Sequence, residues 1–124
     1  MSFAAAKGVR VAFFCWAAFH FTMTHWPNLQ VPGPIPRTDL VVHLLAFGGW
    51  TAFLCVAGFF GPRLGPRNLG ICWLVGLANA LLDEALQGIP IVQRHCAWDD
   101  ATANMIGATT AVCILLALAL LCRR

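Results

Sequence analysis

Seven polar side chains are spaced so that they could act together: Asp39, His43, Glu84, Gln87, Arg94, Asp100 and Asn104. A histidine and a carboxylate can exchange a proton with a bound molecule. An arginine fork can grip a phosphate or carboxylate at two points. Asp39 and His43 are four positions apart, so a helix would place them on one face. Glu84 and Gln87 are three apart and also adjacent on a helix. Asp100, Asn104 and Gly107 follow an i, i+4, i+7 row, a single stripe. Gly107 within that stripe lets a neighbouring helix come close.

Two chemistries suit this set. In the first, Arg94 pairs with the anionic group of a bound molecule, and Asp100 and Glu84 hold Arg94 and His43 in position. In the second, His43 and Glu84 form an acid–base pair, Arg94 stabilises developing charge and Asp100 orients. No serine or cysteine nucleophile stands beside His43, so that route needs an activated water. One imidazole and two carboxylates (His43, Glu84, Asp100) would also suit a divalent ion. The chain lacks a His-x-x-x-His or comparable ligand pair, so no metal or cofactor is expected.

The elements that must position these residues are apolar. Of 124 residues, 60% are hydrophobic and only 10% charged, well below the roughly 25% charged residues of a soluble domain. Apolar segments run over about 9–26, 40–60, 69–87 and 101–121. Each approaches the ~20 residues that a helix needs to cross a bilayer, and none carries the charged outer face of a soluble bundle helix. The expected fold is all-α: one domain over 1–124, a four-helix transmembrane bundle. Runs such as Val31-Pro32-Gly33-Pro34-Ile35-Pro36 and Gly61-Pro62-Arg63-Leu64-Gly65-Pro66-Arg67 must interrupt the helices. Lys7 and Arg10 before an apolar run resemble a secretory signal, but no small-x-small cleavage site follows, so a retained first helix is expected.

Charge is sorted by sign. All five acidic residues (Asp39, Asp83, Glu84, Asp99, Asp100) lie at segment ends that alternate crossings bring to one side. Six of the eight basic residues (Lys7, Arg10, Arg63, Arg67, Arg123, Arg124) lie at the other ends. Positive charge in short loops favours the cytoplasmic side. Both termini are therefore expected in the cytoplasm, with the acidic ends outside a multi-pass protein of the cytoplasmic membrane. Trp26 and Trp98 at those ends fit an interfacial aromatic belt. Paired basic residues without a stripe or aromatic interleaving exclude a nucleic-acid footprint.

Blander roles exist for the same residues. Asp99, Asp100, Thr38 or Asp39 could serve only as helix N-caps, and Arg94 with Glu84 only as an ion pair. His20, His25 and Asn79 read as interfacial or packing residues. The six cysteines have no Cys-x-x-Cys spacing and read as small apolar side chains, with Cys96 alone in a polar loop.

The run Asp39-Leu40-Val41-Val42-His43 resembles the Asp-Lys-x-x-His segment of the VanZ-like membrane proteins. Glu84-Ala85-Leu86-Gln87 is similar to their Glu-x-x-Gln motif. Arg94, Asp100, Asn104 and Gly107 resemble their Arg-x(5)-Asp-x(3)-Asn-x-x-Gly signature. Leu40 replaces the family's lysine, a role that Arg37 could take over, and Ala111 stands where a small residue often follows the glycine. The resemblance implies an envelope protein linked to low-level resistance to the lipoglycopeptide teicoplanin. Its partner would be a membrane lipid or a lipid-linked envelope compound. Candidate catalytic positions are then His43, Glu84, Arg94 and Asp100; ligand-binding positions are Asp39, Gln87, Arg94 and Asn104. A small structural protein, whose polar network serves helix packing or a protein partner, is the alternative. The little room for a deep cavity among four short helices favours it.

Overall fold

The computed structural model describes residues 3–27, 29, 33, 36–92 and 96–122. Arg94, Arg123 and Arg124 lie outside the described residues, as does most of the proline-rich run after Gln30. Four long helices form: α1 (Phe3–Thr24), α2 (Thr38–Ala57), α3 (Pro66–Gln87) and α4 (Trp98–Leu121), with a short 3-10 turn at Pro90–Val92. The helices begin two to six residues before the expected positions. Apolarity marks only the part of a helix that could sit in hydrocarbon. Its first turn accepts residues that hydropathy discounts, such as Pro66 at the start of α3 and Asp99 and Asp100 at the start of α4.

Helix ends have specific causes. The sequence places the end of the second helix near Phe60, but α2 stops at Ala57. Gly58 adopts φ 63°, a left-handed conformation that suits glycine, and its N–H bonds to the Cys55 carbonyl. The expected side-chain caps do not form. Arg37, not Thr38 or Asp39, occupies the N-cap of α2, and Ala97, not Asp99 or Asp100, that of α4; neither makes a capping side-chain bond. Asp99 Oδ1 instead accepts the N–H of Asp100 at 3.1 Å.

The helices alternate in direction. At one end, Arg10 of α1 donates to the carbonyls of Gly58 (2.8 Å) and Ala57 (3.3 Å), and its guanidinium lies 5.2 Å from the Phe59 ring centre. A cation at the C-terminus of α2 meets the negative end of that helix dipole. Beside it, fully buried Asn68 donates to Cys55 O and Arg63 O and accepts from Phe60 N, closing the α2–α3 hairpin. Phe13, Trp50, Leu54, Leu69 and Cys72 form the apolar core at this end. The acidic residues gather at the opposite end, as the sequence indicates.

The most extensive helix contact joins α2 to α4. A Cβ on Gly107 would collide with the backbone carbonyl of Leu44, and one on Gly48 would lie 3.1 Å from Gly107 O. The two backbones touch where the sequence row through Gly107 indicates. Gly76 of α3 packs in the same way on Thr51 and Ala108.

Large apolar side chains cover the outside, including Leu45, Leu74, Leu82, Ile114 and Leu120. Several buried residues are polar: His43, Asn68, Asp83, Glu84, Gln87 and Asn104. Helices α2, α3 and α4 are each long and apolar enough to cross a membrane. An apolar exterior around a polar interior is the arrangement of an integral membrane protein. Gly107→Ala should therefore force α2 and α4 apart and lower stability by about 3 kcal/mol or more, read as the unfolding midpoint in detergent. Gly49→Ala, where a methyl meets nothing within 4 Å, should leave that midpoint unchanged or raise it slightly.

Candidate functional site

Three helices build the centre of the acidic end. His43 lies one turn into α2, Glu84 in the last turn of α3, and Asp100 and Asn104 in the first two turns of α4. His43 Nδ1 lies 3.0 Å from Asn104 Oδ1, and Asn104 Nδ2 lies 3.5 Å from Glu84 Oε1. The amide oxygen carries no proton, so the imidazole Nδ1–H must be the donor. Across the ring, Nε2 lies 3.7 Å from Asp100 Oδ2. Glu84 is 2% exposed and its Oε2 accepts the N–H of Ala97 at 3.2 Å. A carboxylate at the C-terminus of α3 meets the negative end of the helix dipole. These two donors offset part of that cost.

A second network lies beside the first and involves α1, which sequence reasoning left out. Asp83 Oδ1 accepts from the Thr24 hydroxyl at 2.8 Å and lies 3.6 Å from His25 Nδ1. Asp83 Oδ2 accepts from Gln87 Nε2 at 2.7 Å. Gln87 is fully buried and bound to Asp83, four residues earlier. His25 joins this network, and no residue spacing in the chain signals its pairing with Asp83, 58 residues away in sequence.

Among the described residues, the exposed cation over the site is Arg37. Its Nη2 lies 2.6 Å from Asp99, 3.2 Å from Asp39 and 3.9 Å from Asp100 Oδ1. Hydrogen bonds to Asp99 and then Asp39 raise its pKa further above the ordinary arginine value. Arg37 adopts φ 59°, left-handed and disfavoured for a residue with a side chain. The expected cover over the site, Arg94, lies outside the described residues.

An apolar groove of about 780 Å³ runs between α1 and α2. Trp16, Phe19, Met23, Val42 and Leu45 line its walls; Asp39, His43 and His20 supply polar edges. His20 is 6% exposed and its Nε2 has no hydrogen bond among the described residues. The groove opens sideways between two helices and is not a deep cavity inside the bundle, for which four short helices leave little room.

The structure thus brings together His43, Glu84, Asp100 and Asn104, sets Asp39 at the rim and moves Gln87 to the adjoining network. Asn104→Leu keeps the branched outline of the side chain, at larger volume, but strands the His43 N–H and removes a donor from Glu84. It should lower stability by about 1–3 kcal/mol, measured by thermal unfolding in detergent. Arg37→Ala should leave the midpoint close to that of the unaltered protein, because ion pairs open to water contribute little. No family model, curated protein or solved structure matches this chain.

Proposed function

We propose that this chain is a VanZ-type protein of the cytoplasmic membrane whose outward-facing polar end binds an envelope amphiphile. The observation that carries the reading is the junction of the apolar groove with His43 and Asp39. Ligand sites are typically apolar clefts with a few convergent polar groups. A hydrocarbon chain would lie against Phe19, Met23 and Leu45. Its polar head would meet His43, the free nitrogen of His20 and the exposed Arg37 guanidinium. Arg37 takes the anion-pairing role in this reading, and Asp39 and Asp99 hold its fork in place.

In the same reading α1 is a fourth crossing. Its 22 residues span about 33 Å as a helix, enough for ~30 Å of hydrocarbon. Lys7, Arg10, Arg63 and Arg67 would lie in the cytoplasm with both termini. Binding is favoured over catalysis. The only serine is Ser2, and among the described residues no cysteine enters the His43 network.

The test uses a diazirine-bearing polyprenyl phosphate with the protein in nanodiscs. Ala46→Trp, which fills the groove, should cut photolabelling at least fivefold while the thermal midpoint is kept. Teicoplanin should compete with the probe. In cells, expression should raise the teicoplanin concentration needed to stop growth, and His43→Ala or Arg37→Ala should cancel that rise. Equal labelling of the Ala46→Trp protein would contradict the groove as the site. Folded His43→Ala protein with full resistance would favour a network that serves packing alone.

A further inference from the structure

We infer that His43, Glu84 and Asp100 form a binding site for one divalent first-row metal ion. Each offers a ligand atom, and the three atoms lie within 4.8 Å of one another. Two ligand atoms at about 2.1 Å from a shared ion lie about 3–4.2 Å apart. The 3.7 Å between His43 Nε2 and Asp100 Oδ2 falls in that range. A small rotation of one carboxylate closes the rest.

The orientation of His43 is a second, separate observation. Asn104 Oδ1 takes the proton of Nδ1, so a neutral ring carries its lone pair on Nε2. His43 is 9% exposed, and its Nε2 lies 3.7 Å from Asp100 Oδ2, beyond hydrogen-bond distance. The lone pair instead faces the Asp100 carboxylate. Two electron-rich groups held in this way repel each other unless positive charge lies between them. Metal-binding histidines show this arrangement, with the far ring N–H tied to a carbonyl or carboxylate so that the near nitrogen is aimed and enriched.

Charge points the same way. With both carboxylates ionised and the imidazole neutral, the three groups would carry −2, which a divalent ion would cancel and a single proton on His43 would only halve. Arg37 approaches Asp100 but is shared with Asp39 and Asp99 and is largely exposed. The donor set of one imidazole and two carboxylates suits Mn²⁺, Fe²⁺ or Zn²⁺ rather than metals that prefer thiolate. Three protein ligands leave coordination positions for water, or for a phosphate oxygen from the groove that His43 lines. The inference stands on these three side chains and does not require the amphiphile reading.

The test is a Mn²⁺ titration of the chelator-stripped full chain in nanodiscs, without any lipid-linked ligand. The disappearing paramagnetic signal of free Mn²⁺ reports binding. Mn²⁺ is chosen because thiolates, including exposed Cys96, compete poorly for it. One Mn²⁺ should bind per chain. Glu84→Gln and Asp100→Asn should each weaken binding at least tenfold. Asn104→Ala leaves all three ligands in place and should weaken it by about 10–100-fold through the loss of ring orientation. The unaltered protein supplies a readout that needs no variant: pulsed spectra of bound Mn²⁺ should show coupling to an imidazole ¹⁴N. The inference is overturned if no stoichiometric Mn²⁺ binds, if that nitrogen coupling is missing, or if Asp100→Asn binds as tightly as the parent. A failed Mn²⁺ titration with intact photolabelling would remove the metal and keep the amphiphile site.

Discussion

The backbone contact between α2 and α4 governs the rest of the structure. Gly107 and Gly48 have no side chains to hold the helices apart, so the Gly107 position meets the Leu44 carbonyl directly. Leu44 is the residue after His43, and Gly107 lies one turn beyond Asn104. Bringing the two backbones together at this level therefore sets His43 against Asn104. From there Asn104 reaches Glu84 on α3 and His43 faces Asp100. A bulkier residue at the contact would not only weaken the packing. It would also pull apart side chains whose buried polar groups have no water to replace lost partners.

The two ends of the molecule solve different problems. At the basic end, aromatic and aliphatic side chains pack around Phe13 and Trp50, and polar groups such as Asn68 and Arg10 cap exposed backbone carbonyls. That end has the features of a structural anchor. At the acidic end most buried groups are polar. Asp83 and Glu84 both sit at the unfavourable end of α3 for a negative charge. Asp83 is offset by Thr24, Gln87 and the nearby His25 ring. Among the described residues, Glu84 accepts from a backbone N–H and, over a longer distance, from Asn104.

Much of this was legible in the sequence. Apolar segments gave four helices, and the sign of the charges showed which helix ends meet, because antiparallel neighbours must bring alternate ends together. The row through Asp100, Asn104 and Gly107 marked both the close helix contact and the face that meets His43. Spacing within one helix could not show pairings between helices. Thr24 with Asp83, and Arg37 with Asp99, depend on how helices rotate against each other. Gln87 neighbours both Glu84 and Asp83 on the helix, and spacing alone does not show that its amide bonds Asp83. The metal-type cluster left no ligand-spacing signal, since its three members come from three helices. The sideways groove was also hidden, because it depends on the tilt of α1 against α2 and not on any motif.

The hydrogen bond from His43 Nδ1 to the Asn104 side chain is where helix contact, ring orientation and carboxylate cluster meet. Solid-state NMR of isotope-labelled protein in lipid bilayers reports it directly. A protonated Nδ1 with a through-space correlation to the Asn104 side-chain carbonyl is the expected result. A protonated Nε2 instead, or a His43 ring correlated with lipid acyl chains and not with Asn104, would contradict the arrangement on which the site depends.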